Sequence, residues 1–196
     1  MTNETVAHDR AGPFAPGHIA ALLGTAVTFL DAEFAALPDA IFAWHPVPGE
    51  WCALEVVGHF IETEERGFGG RIRTILAEER PRFHTWDPDA VARARRDCER
   101  DPAAVLAEFA RRRTTSVALV KTLTPDDLDR GGDHPEVGFL TVRDLLHEWV
   151  HHDANHLRQL LANVQAYSWP GLGNAQRFSM PEGEVDSGEG LPSRGI

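Results

Sequence analysis

The residues with the clearest chemical potential lie toward the C-terminus, where four histidines fall within a ten-residue stretch. His147 and His151 are four residues apart, and so are His152 and His156. On an α-helix this spacing places both rings of a pair on one face, from which two imidazoles can bind one metal ion. The pair that matters is the one that faces the protein interior.

The apolar pattern of this segment indicates which pair that is. At about 100° per residue, its large apolar residues fall on one arc of the helix. His156 lies inside the arc and His152 at its margin, whereas His147 and His151 lie opposite and are expected to be solvated. Asp153 falls in the middle of the arc, where a lone carboxylate costs several kcal/mol. We expect it to bond a ligand imidazole or to pair with a cation or helix N-terminus, the alternative being that it reaches water.

A catalytic zinc-type site usually has three protein ligands and an open position, so a third ligand is needed. The other candidates are His18, His45, His59, His84, His134, Glu62, Glu64 and Glu65. His59 is the one histidine among them in the middle of a long helical pattern, where it lies on a secondary apolar stripe. Glu64 lies on the main stripe of the same pattern. Spacing alone leaves these two residues as alternatives.

Four segments with apolar residues three and four positions apart predict the helices that position these side chains. They cover approximately residues 17–37, 52–79, 102–120 and 142–167. No strand pattern is found, and Gly, Asp and Pro residues predict a loop at 130–138. The sequence therefore predicts an all-α four-helix bundle. Its domain covers residues 17–170, between an N-terminal extension, 1–16, and a flexible, poorly ordered tail, 171–196.

Length and charge limit the function classes. The 196 residues fit one domain, and a formal charge of −11 opposes binding to nucleic acid or to anionic membranes. The basic run 111–113 is interpreted as a solvated helix face. No secretory signal or membrane span is recognised, which predicts a cytoplasmic protein. Cys52 and Cys98 form no CxxC motif or disulfide scaffold, and Cys52 is interpreted as a helix-start residue rather than a nucleophile.

Two motifs resemble those of a known family, the DinB/YfiT-like superfamily. One is Trp51-Cys-Ala-Leu-Glu-Val-Val-Gly-His59, and the other combines His134-Pro-Glu-Val-Gly-Phe-Leu-Thr141 with His152-Asp-Ala-Asn-His156. The resemblance covers residues 17–167. It implies a four-helix bundle with one divalent metal, zinc or nickel, on His59, His152 and His156. It also implies a homodimer and, in some relatives, transfer of a low-molecular-weight thiol.

These expectations support two functions. The first is a metal-dependent enzyme, a thiol S-transferase or a hydrolase, whose metal activates a thiol or water toward a small-molecule substrate. In that case Asp153 would tune a ligand and Gln159, which falls beside His152 on the helix, would touch the substrate. The alternative is a non-catalytic, stress-associated protein in which the histidine triad is a structural metal site.

Overall fold

The structure is a computed structural model that describes residues 14–179. Its helices are α1 (Pro16–Ala36), α2 (Ala53–Glu62), α3 (Phe68–Ala77), α4 (Pro88–Arg95), α5 (Pro102–Thr122), α6 (Pro125–Leu128) and α7 (Val142–Ser168). Two strands, β1 (Gly131–His134) and β2 (Gly138–Thr141), form a hairpin. The helix α1 packs on α5 and α7, and α2 and α3 pack on α7. The predicted four-helix bundle is therefore confirmed.

The second predicted helix consists of two α-helices, α2 and α3. They follow each other without a break in helical structure, because a π-helical turn, Thr63–Gly67, joins them. Such a turn inserts one extra residue into the helix and is common at functional sites. The sequence accommodates it with Gly69 and Gly70, since a Cβ at either position would collide with the backbone carbonyl oxygen of Glu64 or Glu65. The continuous α-helix predicted for 52–79 is wrong at this turn.

The predicted loop at 130–138 is also wrong, because most of it belongs to an antiparallel hairpin in which Gly131 pairs with Thr141. Gly132 has no side chain to fill the space that the Phe83 ring occupies. The Asp133 carbonyl then accepts a hydrogen bond from the Phe83 amide at 2.9 Å. Glycines at these positions remove the alternating apolar pattern by which a strand is recognised.

The ends of α7 show how far local sequence signals determine helix boundaries. At the start, the Asp144 amide donates to the Thr141 hydroxyl at 3.1 Å, and the Thr141 amide donates to the Asp144 carboxylate at 2.9 Å, as the capping-box spacing predicts. At the other end, residues Trp169–Phe178 continue as 3₁₀ turns, so the predicted boundary at 170 falls inside an ordered segment. The remainder of the predicted tail, and most of the extension 1–16, lie outside the described residues.

Two further sequence-based expectations need correction. Cys52 and Cys98 are joined by a disulfide, because the fold brings the start of α2 against the 3₁₀ turn Asp97–Glu99, 46 residues from one cysteine to the other. In addition, α1 is long and apolar enough to cross a membrane by length and composition. Here one face of α1 instead packs into the bundle through residues such as Leu23 and Leu30.

The core has two apolar clusters, one around Phe60 and Phe109 and the other around Phe68 and Trp149. Between them lies Arg113, whose side chain is fully buried. Its guanidinium carbon is 4.9 Å from the centroid of the Phe109 ring and 5.6 Å from that of Trp149. The interpretation of 111–113 as a solvated face is thus wrong for Arg113, because this residue falls on the core face of α5.

Three buried polar partners compensate the charge of Arg113. Its Nε donates to Glu64 at 2.6 Å, its Nη1 donates to the Leu23 carbonyl at 3.0 Å, and its guanidinium forms a two-pronged ion pair with Asp153. Burial raises the pKa of Glu64, because the apolar surroundings disfavour its charged form, and the charge of Arg113 opposes this. One side chain therefore links α1, the π-turn, α5 and α7.

We expect Arg113→Met to lower the free energy of unfolding by about 3–5 kcal/mol, because it leaves two buried carboxyl groups without their cation. Arg111→Met, on the exposed face of the same helix, is the matched control and should change it by less than about 0.5 kcal/mol. Urea unfolding followed by circular dichroism measures both values. Equal effects of the two substitutions would show that the buried cation contributes nothing specific.

Candidate metal centre

The structure brings together the three histidines that the resemblance selected. His59 lies in the last turn of α2, and His152 and His156 lie one turn apart on α7. The Nε2 atoms of His59 and His152 are 2.8 Å apart, and the His156 ring centroid is 4.4 Å from each of the other two. One ring nitrogen from each residue falls within 4.8 Å of the others.

The other sequence candidates lie elsewhere. Glu64, the alternative third ligand, is turned to Arg113. His151 is exposed, as predicted for the outward pair, and contacts Asn155. His147 is only half-buried rather than solvated, and its Nδ1 donates to the Arg143 carbonyl at 2.9 Å. The helical pattern therefore identified the inward pair correctly and overestimated the exposure of His147.

Gln159 and Asp153 lie beside the two histidine rings of α7. The Nδ1–H of His156 donates to Oε1 of Gln159 at 2.8 Å, one turn along the helix, which leaves the Nε2 lone pair directed at the other two histidines. Gln159 thus contacts a candidate ligand, and its contact with a substrate stays a prediction. Asp153 is buried and pairs with Arg113, one of the roles left open, and its Oδ1 lies 3.7 Å from Nδ1 of His152.

The electrostatics of the triad suit a metal ion. Burial lowers the pKa of His59 from 6.5 to about 2, with further lowering by His152 and His156. Burial and His152 also lower the pKa of His156. A metal requires deprotonated imidazoles, so these rings are ready to bind at neutral pH without losing a proton first. Tetrahedral ligands about 2.1 Å from zinc lie about 3.4 Å apart, which the observed cluster can reach through small ring movements.

The triad forms part of the wall of a cavity of about 340 Å³. Three aromatic side chains share this wall: the Trp51 ring is 4.9 Å from His59, Trp86 is 5.7 Å from His59, and Phe68 is 5.2 Å from His152, measured between centroids. Trp51 is fixed in turn, because its indole N–H donates to Asp89 at 3.1 Å. The cavity has room for a small molecule next to the histidines.

Sequence reasoning missed two residues that line this cavity, Trp86 and Arg71. Trp86 lies in the connector between α3 and α4, where no periodic pattern marks it. Arg71 follows the π-turn, whose extra residue changes the face on which it lies. Arg113 could have been found, because the buried positions Val105, Phe109, Ser116 and Val120 continue through it at helical spacing.

The low pKa of His59 predicts a pH dependence for the metal-free protein. The unfolded chain binds a proton on this histidine below about pH 6.5 and the folded chain does not, so stability is complete above 6.5 and falls as the pH drops toward 2. One such proton contributes at most about 1.4 kcal/mol per pH unit. Urea unfolding in EDTA between pH 7 and 5 should therefore show a weaker dependence of the unfolding free energy on pH for His59→Asn than for the native chain.

The exposed control His151→Asn should keep the native pH dependence. A native pH dependence in His59→Asn would contradict the prediction.

Comparisons with known proteins bear on the family and the fold of this chain. YfiT of Bacillus subtilis (strain 168) is 25% identical over 122 residues, which are 62% of this chain and 68% of YfiT. Its solved structure, described as that of a probable metal-dependent hydrolase with an unusual four-helix bundle topology, matches with a TM-score of 0.71 at 22% identity. That match covers 79% of this chain and 88% of the YfiT chain. A sequence model of the DinB superfamily matches residues 25–160, and the chain therefore belongs to the DinB superfamily.

Proposed function

We propose that this chain is a metal-dependent enzyme in which His59, His152 and His156 bind one divalent ion, zinc or nickel. The observation that carries the proposal is that three converging imidazoles, two of them with a lowered pKa, form part of the wall of a cavity of about 340 Å³. Imidazole nitrogens suit zinc and nickel. The relative YfiT, described as a probable metal-dependent hydrolase, supports the same class of function.

The number of ligands favours an enzyme over a structural metal site. Structural zinc sites almost always have four protein ligands, whereas catalytic sites have three and keep one position open. Among residues 14–179 the cluster at the cavity has three members, all histidines. A cavity next to the cluster would be of no use to a structural site, but it would admit a substrate to the open position.

When bound, a divalent ion on three neutral imidazoles would make a water molecule or a low-molecular-weight thiol ionise near neutral pH. The chain's own residues then position the reactants. Gln159 accepts a hydrogen bond from Nδ1–H of His156. The proton is thereby held on Nδ1, and the lone pair of Nε2 stays available to the metal. Trp51, Phe68 and Trp86 line the cavity beside the histidines with apolar surface. Hydrolysis or thiol transfer would follow according to which nucleophile occupies the open position.

Arg71 indicates the charge of the substrate. It lines the same cavity, its Nε is buried without a hydrogen-bond partner, and it forms no ion pair with any carboxylate of residues 14–179. Its guanidinium carbon lies 5.5 Å from the centroid of Phe83, which holds it in place. Burial lowers the pKa of Arg71, and the charge of Glu136, which forms no direct ion pair with it, opposes this only in part. A substrate anion in the cavity would provide the direct partner that this half-buried cation lacks. We infer a small substrate that carries a carboxylate or similar anionic group.

Metal analysis tests the proposal directly. Under non-reducing conditions and after incubation with zinc or nickel, we expect about one ion per chain by mass spectrometry, and less than a tenth of that in His156→Ala. Gln159→Leu should weaken affinity about 10–100-fold because it frees the Nδ1–H, whereas Gln159→Glu, which still accepts that proton, should not. Exposed His151 replaced by alanine is the matched control. The absence of bound metal in the native chain would exclude the proposed enzyme.

The anion preference can be measured without turnover. Trp51 and Trp86 line the cavity, so their fluorescence reports binding of the matched probes phenylacetate and phenylacetamide to metal-free protein. We expect phenylacetate to bind about 10-fold or more tightly than phenylacetamide, and Arg71→Met to remove the difference, as the loss of one charged hydrogen bond predicts. Arg71→Lys should retain part of it. An unchanged preference in Arg71→Met would exclude Arg71 as the anion contact.

A further inference from the structure

A second cluster of metal-binding side chains lies at the start of α2, outside the histidine triad. It contains His45 from the preceding connector, Cys52 and Glu55 from the first turn, and Cys98 from the turn after α4. One donor atom from each of the four falls within 4.8 Å of all the others. In the structure the two sulfurs are joined as a disulfide.

The other two members lie beside the sulfurs. Nε2 of His45 lies 3.9 Å from the Cys98 sulfur and 3.0 Å from the Glu55 carboxylate. The same carboxylate oxygen accepts a hydrogen bond from the Cys52 amide at 2.9 Å, so the cap of α2 fixes its position. An imidazole and a carboxylate are therefore held beside both cysteines by contacts independent of the S–S bond.

These four side chains include more metal ligands than a disulfide alone requires. A disulfide needs two cysteines only, whereas two thiolates, one imidazole and one carboxylate make up the four protein ligands of a closed tetrahedral zinc site. Cys52 is fully buried, Cys98 and Glu55 are half-buried and His45 is exposed, so such a site would lie at the protein surface with its Cys52 side shielded from solvent. Cys52 also caps the N-terminus of α2, where the helix dipole favours the thiolate that a metal requires.

We propose that the reduced chain binds a second ion of the zinc class on His45, Cys52, Glu55 and Cys98, and that the disulfide is the metal-free oxidised form of this site. With hydrogen peroxide as oxidant, the two thiolates lose two electrons and form the S–S bond. The O–O bond of the peroxide breaks, its two oxygens take up the electrons and two protons to give two water molecules, and the metal leaves because it has lost both thiolate ligands. A dithiol reductant restores the thiolates by exchange. Metal and disulfide therefore exclude each other at this position.

The state of this second site would affect Trp51, which lines the cavity beside the histidine triad. Trp51 directly precedes Cys52, and its ring stacks 6.0 Å from His156 between centroids. Its carbonyl accepts a hydrogen bond from Asn163 on α7 at 2.9 Å. When a disulfide replaces the metal at Cys52, the restraint on the neighbouring backbone of Trp51 changes, and the ring of Trp51 stacks on His156 of the triad.

Metal stoichiometry tests the proposal in the full-length chain. The protein is reduced with a phosphine, loaded with zinc in the absence of oxygen, desalted and analysed by mass spectrometry. We expect two zinc ions per reduced chain, one after peroxide treatment, and one in reduced Cys98→Ser. Half-exposed Cys98 is chosen because its replacement leaves the core intact, and circular dichroism checks the fold. His151→Ala, at an exposed histidine outside both clusters, is the control and should retain two.

Cobalt substitution separates this site from the triad. Reduced protein loaded with cobalt should show thiolate-to-cobalt charge-transfer absorption in the near ultraviolet. The band should persist in His156→Ala and disappear in Cys98→Ser and after peroxide treatment. A reduced chain without this band, or an unchanged zinc content in Cys98→Ser, would overturn the proposal. A failure at the triad alone would appear differently, as an unchanged metal content in His156→Ala.

Discussion

The compensation of one buried charge constrains the whole bundle. Arg113 is fully enclosed between the two halves of the core, so it must find all its partners within the protein. It finds them on three other elements: a backbone carbonyl of α1, Glu64 in the π-turn and Asp153 on α7. Apolar packing tolerates small displacements of helices, whereas these directional bonds do not. The helices are thereby held in one relative arrangement.

The candidate metal centre depends on that arrangement. Asp153 lies next to His152 in the chain and is fixed by Arg113, so the same ion pair sets the rotation of α7 that turns His152 and His156 inward. Glu64 follows His59 by five residues, and its bond to Arg113 anchors the π-turn directly after α2. Scaffold and site therefore share their polar contacts. The rigidity that a three-ligand site needs comes from the core of the bundle rather than from the loops around it.

Sequence reasoning succeeded where one helix carried all the information. The choice of His152 and His156 over His147 and His151 follows from the periodicity of α7 alone. The third ligand could not be decided in this way, because both His59 and Glu64 point inward and only the packing of neighbouring helices separates them. The burial of Arg113 could have been read from the periodicity of α5, but its partners could not, since they come from three other elements. The glycine-rich hairpin was missed because strands without side-chain alternation carry no periodic signal.

The distance along the chain between the ligands has a kinetic consequence. His59 and His152 are 93 positions apart, in helices that touch only in the assembled bundle. A metal bound by all three histidines would link distant parts of the chain, so its complete release would require α2 and α7 to move apart or their rings to turn away. The rate at which a chelator extracts the ion would then report how often this helix pair opens in the native state. The absorbance of a coloured chelator, followed over time, would then measure a slow internal motion of the bundle.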